Sequence, residues 1–227
     1  MKNQLSKHTL KTFEDALESL RAQVLTMAHL TQRIIRHAER GLFERDDAYC
    51  TGAIADDAEI DQLEKDVDQA GISILLHYQP VASDLRDVIS AMKIGSNLER
   101  VGDHAVTIAR RARKLNALPD FNDVVLLRPM FAIARTLLDD SIRAYREQNP
   151  KLARGLRERD RELNAAEVAL NTEIVRCITR VPDRVESYLD LTFIARCLER
   201  VGDHAVNIGE DIVCATEAED IRQGSID

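Results

Sequence analysis

The chain has 227 residues, which is enough for one large domain or for two domains of about 110 residues each. Apolar residues make up 44% and charged residues 31%, with few glycines and prolines and no tryptophan, and this composition favours helices over a β-sandwich. The net charge of -8 lacks the basic footprint that binding to a phosphate backbone requires, so nucleic acid is not an expected partner.

The ends and the uncharged stretches of the chain bear on its location. The first residues are polar and lack the apolar region of a secretory signal. The longest stretch without a formal charge, residues 69–83, is too short to span a bilayer. We therefore expect a cytoplasmic protein that reaches a membrane only through partners. The four cysteines show no Cys-x-x-Cys spacing, so we interpret them as free thiols that fill the core.

Apolar residues recur at three- and four-residue steps, which is the period of an amphipathic helix. Gly41 is expected to end the first helix, and Pro80 to lie at or near the first turn of the third. Pro129 either kinks the fourth helix or marks its start. Residues 217–227 are expected to fray. The six predicted helices cover residues 5–40, 46–78, 80–115, a segment that ends before Gln148, 150–179 and a last segment that ends near 215.

An internal repeat organises these helices. The nine residues Leu98–Val106 recur unchanged as Leu198–Val206. A weaker echo relates Asp57, Asp61 and Glu64 to Asp160, Asn164 and Glu167. With the breaker-rich linker at residues 116–120, the repeat predicts an all-α fold of two tandem three-helix bundles, residues 1–117 and 118–227.

The repeat carries a pattern of carboxylates. Glu99 and Asp103 lie one turn apart on the same helical face, as do their repeat equivalents. The acids of the preceding helix follow the same rhythm, so carboxylates line one edge if the two helices pack side by side. Like charges at this spacing repel, and a cation would offset the repulsion. The predicted metal ligands are Asp57, Asp61, Glu64, Glu99 and Asp103 in the first repeat, and Asp160, Glu167, Glu199 and Asp203 in the second.

Oxygen ligands favour hard or borderline cations such as Mg, Mn, Ca or Fe over zinc in a thiolate site. The identity of the ion stays open among iron, manganese, magnesium and zinc. We expect weaker or fewer ions in the second repeat, where Asn164 stands in place of Asp61. An alternative is that Arg100 and Arg200 pair with these acids, which would make the cluster merely structural.

Two further residue types flank the acids in both repeats. His104 and His204 point about 100° away from the preceding aspartate, and we interpret them as groups that support the metal ligands from outside. Gly102 and Gly202 each cost roughly 1 kcal/mol in a helix interior. Either a neighbouring helix approaches closely at these glycines, or the site needs room for a ligand.

No enzyme signature accompanies the carboxylates. The sequence has no Glu-x-x-His, no His-Glu-x-x-His and no glycine-rich loop that would cradle a phosphate. We therefore predict no catalytic residue and no enzyme activity.

The tandem Leu-Glu-Arg-Val-Gly-Asp sequence, present twice about 100 residues apart, resembles the Glu(Asp)-x-x-x-Asp signature of the PhoU family. The segment Gln79–Arg86 is similar to the turn of that family's first repeat, and Asn207-Ile208 matches after the second. The resemblance implies two three-helix bundles, a tendency to form a homodimer, and multinuclear metal clusters held by the signature carboxylates.

The resemblance also implies a regulatory role. Proteins of this family couple the ATPase of a phosphate-specific ABC transporter to a phosphate-sensing histidine kinase at the inner membrane, and so keep the phosphate-starvation response off. Regulation of transcription is then indirect. Two alternatives compete with this role. One is a carboxylate-bridged metalloenzyme such as a phosphohydrolase, which needs an open coordination position and an activated water. The other is a helical adaptor without a functional metal.

Overall fold

The computed structural model describes residues 2–119 and 121–221, with side chains from residue 11 onward. Within these residues the fold is helical and has no strand, and no helix is both long and apolar enough to cross a membrane. Short 3-10 helices at Asp123–Leu127 and Pro182–Arg184 precede the fifth and seventh α-helices. The α-helices are α1 (Lys2–Phe43), α2 (Asp47–Ala55), α3 (Asp57–Tyr78), α4 (Ala82–Asn116), α5 (Arg128–Glu147), α6 (Pro150–Arg180) and α7 (Val185–Glu217).

Helices α4 and α7 form the centre of the fold. α4 packs on α1 and α3, α7 packs on α5 and α6, and the two central helices pack on each other. Most of their apolar side chains are buried, and Val101 and Val201 have no exposed surface. The predicted all-α fold with a tandem repeat is confirmed. The helix α2, which lies on α1 and α4, is an addition to the first repeat.

The two repeats are related by an approximate two-fold axis. α4 and α7 run antiparallel, as two contacts show. Near the start of α4 the Ser90 hydroxyl donates to the carbonyl oxygen of Asp211 near the end of α7 (2.9 Å), and near the end of α4 Arg111 donates to the carboxylate of Asp190 near the start of α7. In the register of the repeat, Arg111 is the equivalent of Asp211, and Asp190 is the equivalent of Ser90. The same pair of positions therefore meets twice, once near each end of the α4–α7 contact.

The predicted continuous helix over residues 46–78 is wrong, because the chain bends at Asp56. The Asp46 side chain accepts a hydrogen bond from the Ala48 amide (2.8 Å) and so caps α2. The Asp56 carboxylate accepts from Arg33 on α1 (2.9 Å). The bend allows α2 to pack on α1 and α3 to pack along α4.

Gly41 does not end the first helix, which continues to Phe43. A Cβ at Gly41 would collide with the sulfur of Cys50, so the glycine permits α2 to approach α1 closely. The turn instead uses Arg45, whose φ is 54°. The Arg45 guanidinium donates to the carbonyl oxygens of Asn116 (2.8 Å) and Leu118, and this anchors the linker between the repeats to the α1–α2 turn.

The remaining boundaries lie close to those predicted. Pro129 sits in the first turn of α5, so it marks the start of that helix rather than a kink. Pro80 lies before α4, which begins at Ala82. All four cysteines are free, and Cys50 and Cys197 are buried. α7 ends at Glu217, and residues 222–227 of the segment expected to fray lie outside the described residues.

Large apolar side chains are exposed near the two turns that join α3 to α4 and α6 to α7. Near the first turn, Leu76 and Val81 are 70% and 73% exposed. Near the second, Val175 and Leu189 are exposed as well. Exposed apolar clusters on a folded protein commonly mark contacts with other proteins.

Candidate metal centre

Close packing of α3 on α4 brings the acids of the first repeat together. A Cβ built on Gly95 would lie 3.2 Å from Val67, and one built on Gly102 would lie 3.0 Å from Ile60. These contacts fix the antiparallel register of the two helices. We call the resulting row of carboxylates the first seam, and its members are Asp57, Asp61, Glu64, Glu99 and Asp103.

The acids of the first seam act electrostatically on one another. Burial, the Asp103 charge and, more weakly, the charges of Glu64 and Asp61 raise the pKa of Glu99 from its ordinary value of 4.5 to about 7. Burial and the charges of Asp61 and Asp103 also raise the pKa of Asp57. The first seam is therefore half-buried, and its charges repel one another in the absence of a cation.

The second repeat builds the same seam with one amide in it. The second seam consists of Asp160 and Glu167 on α6 and Glu199 and Asp203 on α7. Burial and the Asp203 charge raise the pKa of Asp160, and burial, Asp203 and Glu167 act in the same direction on the pKa of Glu199. The Asn164 amide donates to Asp160 (3.2 Å), so it neutralises none of the charge but satisfies one carboxylate oxygen.

Several carboxylate oxygens in the seams are buried without a hydrogen-bond partner, namely Glu99 Oε2, Glu199 Oε2 and Asp160 Oδ1. Of these, Glu99 Oε2 and Glu199 Oε2 have only long ion pairs, to Arg100 (3.3 Å) and Arg200 (3.7 Å). A buried carboxylate oxygen without a hydrogen bond is costly, and a cation would satisfy it. In the side-chain arrangement of the described residues, however, no three His, Cys, Asp or Glu groups converge closely enough to hold a metal ion. The donor set fits a hard cation, and side-chain rotation would be needed to close it around one.

The alternative of ion pairing with arginine accounts for part of the arrangement. Arg100 lies 3.3 Å from both Glu99 and Asp103, and Arg200 lies 3.7 Å from Glu199 and 3.3 Å from Asp203. Both arginine side chains are about half exposed, so these pairs contribute little stability. They also leave the pKa of Glu99 well above normal, so the arginines do not neutralise the first seam.

The two repeat glycines serve close helix packing. A Cβ at Gly202 would lie 2.6 Å from the Leu163 side chain and 2.7 Å from Asp160 Oδ1. At Gly102 the nearest atom is the end of the Ile60 side chain. The sequence left two explanations for these glycines, close approach of a neighbouring helix or room for a ligand. Close helix approach applies in both repeats. In the second repeat Gly202 also leaves space for the Asp160 carboxylate.

The two repeat histidines meet each other across the axis. The rings of His104 and His204 are repeat equivalents with centroids 5.6 Å apart, so the two-fold axis passes between them. The Nδ1 atom of His204 lies 2.9 Å from Asn97 Oδ1, and the Asn207 amide donates to the same oxygen (3.4 Å). Burial lowers the pKa of both rings, that of His204 to about 4, so both are neutral at neutral pH.

The sequence pattern did not predict the contacts of two polar residues in this region, Asn97 and Arg196. Asn97 joins the repeats by the contact with His204 described above. Arg196 lies 3.2 Å from Glu199 and 4.0 Å from Glu167, and its repeat equivalent is Ser96. Arg196 therefore places an additional positive charge beside the second seam only.

The chain matches the family model of the PhoU domain twice, over residues 24–112 and 127–212. The chain belongs to the PhoU family. Proteins named phosphate-specific transport system accessory protein PhoU homolog are similar to it over most of their length. The one from Zymomonas mobilis subsp. mobilis is 33% identical over 92% of this chain and 88% of its own. The one from Pseudomonas putida is 31% identical over 97% of this chain and 87% of its own.

Solved structures agree with the family assignment. The crystal structure of PhoU from Pseudomonas aeruginosa superposes with a TM-score of 0.88 at 28% identity, covering 91% of this chain and 100% of that one. The phosphate transport system regulatory protein PhoU from Streptococcus pneumoniae gives 0.81 at 27% identity, covering 92% and 99%. The PhoU fold of this chain therefore extends over both repeats.

Substitution of the repeat glycines tests the close packing. Gly202→Ala should lower the free energy of unfolding by about 1 to 3 kcal/mol, because the new methyl group meets Leu163 and Asp160. Gly102→Ala should cost less, since the end of Ile60 can move. Gly155→Ala is the control: its Cβ meets nothing within 4 Å, so it should stabilise the helix by about 0.5 to 1 kcal/mol. Urea unfolding followed by circular dichroism measures all three, and equal stability of the first and third variants would contradict this packing.

The raised pKa of Glu99 predicts how stability depends on pH in chelator-treated protein. The ionised carboxylate is disfavoured in the folded state, so stability should fall as pH rises from about 4.5 to about 7, with the full penalty present above that. Glu99→Gln should flatten this decline, because the amide carries no charge. Urea midpoints at about pH 5 and about pH 8 measure the difference. Glu162→Gln, an exposed control on α6, should leave the slope unchanged; a slope shared by wild type and Glu99→Gln would contradict the assignment.

Proposed function

We propose that this chain is a regulatory accessory protein of phosphate transport that binds metal ions in its two carboxylate seams and keeps the phosphate-starvation response off when phosphate is plentiful. The observation that carries the proposal is the seam itself, which is built twice at equivalent positions of a PhoU fold. The relatives are named accessory or regulatory proteins of phosphate transport, and this supports a role without catalysis.

The metal ligands would be the carboxylates of the two seams. Bound cations would supply positive charge to half-buried acids whose mutual repulsion raises their pKa values. Oxygen-only donors favour hard or borderline cations, and the candidate ions are iron, manganese, magnesium and zinc. Occupancy would be weaker in the second repeat, since Asn164 supplies a neutral amide where the first repeat has Asp61.

The partners we propose are the ATPase of a phosphate-specific ABC transporter, a phosphate-sensing histidine kinase, and a second copy of the chain. Contact with other proteins is supported by the apolar side chains exposed near the two helical turns. The proposed location is the cytoplasm, with attachment to the inner membrane through these partners. Regulation of transcription would follow indirectly from the kinase.

Metal content tests the seams directly. Glu99→Ala combined with Asp103→Ala should remove the metal held by the first repeat and leave helix content unchanged, because both side chains lie at the edge of the bundle. Elemental analysis of the purified protein measures the loss. The matched control is Glu158→Ala with Glu162→Ala, an exposed acidic pair at the same spacing on α6. Removal of the pair in both repeats with no change in metal content would refute the site.

Deletion of the gene in its own host should derepress phosphate-starvation genes in phosphate-rich medium, as a transcriptional reporter measures. Complementation with wild type should restore repression, and a pull-down should recover the transporter ATPase and the kinase. If the acidic face itself contacts a basic partner, Asp61→Lys should be more damaging than Asp61→Ala. Unchanged phosphate-responsive transcription in the deletion strain would reject the regulatory role. Hydrolysis of phosphoesters by metal-loaded protein would favour the phosphohydrolase instead.

A further inference from the structure

The chain turns back onto the start of α6 after α7 ends. Ala218 has a left-handed backbone with a φ of 58°, and its amide donates to the carbonyl oxygen of Cys214 (3.2 Å). The residues that follow reach Arg154 and Arg157 in the first turns of α6. We call the segment Ala218–Ile221 the tail. The tail therefore lies across a groove between the start of α6 and the end of α7.

Two arginines of α6 hold the tail. Arg154 donates to the carboxylates of Glu217 (2.6 Å) and Glu219. Arg157 donates to the carbonyl oxygen of Ile221 (2.9 Å). The side chains of Arg154 and Glu219 are 38% and 57% exposed, so their ion pair contributes little stability. A competing segment can therefore replace the contacts that hold the tail.

The tail fills only part of the groove. Ile221 packs against the core but stays partly exposed. A cavity of about 190 Å³ remains beside it. The cavity is lined by Ala153, Arg154, Arg157, Val206, Glu210 and Ile221. A space of about 150 Å³ is enough for a benzene ring, so this cavity has room for an aromatic side chain.

The two repeats differ at this groove. Val206 lines the cavity and is partly exposed, whereas its repeat equivalent Val106 is buried. Arg157 also donates to Glu210 (2.6 Å), and the first repeat has Arg110 at the position of Glu210. The residues that form the groove are therefore a feature of the second repeat.

We propose that this groove is a docking site for an acidic segment of a partner protein, one with an aromatic or large aliphatic side chain two residues after a glutamate. We also propose that the tail occupies the site in the unbound protein. The tail has the chemistry of such a segment, since Glu219 pairs with Arg154 and Ile221 enters the groove two residues later. This inference rests on the partner docking of the proposed function and is independent of metal binding.

The tail competes with a partner because it belongs to the same chain. A segment tethered beside its own site has an effective concentration in the millimolar range. The apparent affinity for a partner is reduced in proportion to the fraction of molecules whose groove is open. A partner must therefore make contacts that the tail lacks, and the unfilled cavity beside Ile221 supplies them. Weakening the tail should tighten the binding of a partner segment.

The experiment uses two fluorescein-labelled peptides. One has the sequence of residues 218–227, and the other has the same sequence with Ile221→Phe. Fluorescence polarisation measures their binding to the full chain and to a tail variant, Glu219→Gln with Ile221→Ser. The tail variant should bind the Phe peptide at least about tenfold more tightly than wild type does, because its own tail no longer competes. It should bind the Phe peptide at least about threefold more tightly than the Ile peptide, because the ring fills the cavity.

Further substitutions in the tail variant test the arginines. Arg154→Gln with Arg157→Gln should weaken the binding of both peptides at least about tenfold, because the donors to the acidic segment are lost. The matched control is Arg176→Gln with Arg180→Gln, an exposed arginine pair farther along α6, which should stay within about twofold. Circular dichroism checks that each variant remains helical.

Val206→Phe tests the cavity without removing a charge. The added ring occupies the cavity, so this substitution in the tail variant should abolish the preference for the Phe peptide over the Ile peptide. It also keeps the inference testable where loss of Arg157, the partner of the buried Glu210, unfolds the protein.

The outcomes separate the groove from the proposed function. A tail variant that binds neither peptide overturns the inference and leaves metal binding and regulation to their own tests. Binding that the arginine substitutions leave unchanged overturns it as well. Tighter binding of the Ile peptide than of the Phe peptide shows a groove shaped for the tail alone and overturns the docking of a partner. Equal binding to wild type and to the tail variant overturns the competition by the tail. A wild-type dimer that the tail variant dissociates assigns the groove to the tail of a second copy and overturns the partner segment.

Discussion

The close approach of α3 to α4, and of α6 to α7, determines the properties of both seams. The approach is possible because a glycine in each central helix leaves only van der Waals space for a branched apolar side chain of the outer helix. Helices at this separation cannot keep their edge acids fully hydrated, and Glu99 and Glu199 retain only 15% and 12% of their side-chain exposure. Burial is the largest cause of the raised pKa values in both seams, ahead of the neighbouring charges.

Half-buried acids at the edge of the core lower the free energy of unfolding, because their ionised form is poorly hydrated in the folded state. Arg100 and Arg200 do not remove this cost, because they lie 3.3 and 3.7 Å from Glu99 and Glu199 and are about half exposed, and Asp160 Oδ1 stays buried without a hydrogen-bond partner. Elsewhere the same chain pairs a buried acid well, since Asp140 lies between Arg143 and Arg159. Asp140 is thus paired more closely than Glu99 or Glu199 is paired with Arg100 or Arg200. A cation that binds the folded state and not the unfolded chain would recover the lost stability by mass action.

The sequence predicts the features that depend on period and on repetition. Apolar stripes place the helices within a few residues, and the duplicated nine-residue motif predicts two equivalent units with equivalent acids. What the pattern does not contain is contact between helices far apart in the chain. The bend at Asp56 depends on Arg33 of α1, and the meeting of His104 with His204 depends on how one repeat packs on the other. Helical period alone does not show that the two histidine rings face each other.

The two-fold axis also explains which positions differ between the repeats. A residue on the axis contacts its own repeat equivalent, as His104 contacts His204, so a change in one repeat alters the surroundings of the other. A residue away from the axis contacts a different position of the other repeat, and that pair of positions occurs twice, so the two copies of the pair can use different residue types. Lys93 lies 3.5 Å from Asp211, whereas its equivalent Phe193 lies under the guanidinium of Arg111. The identical stretch Leu98–Val106 spans the axis and the nearest seam acids, and the differences begin at the next residue on each side, with Asn97 against Cys197 and Thr107 against Asn207. Symmetry thus confines the shared chemistry to the centre of the α4–α7 contact and leaves the outer turns free to specialise.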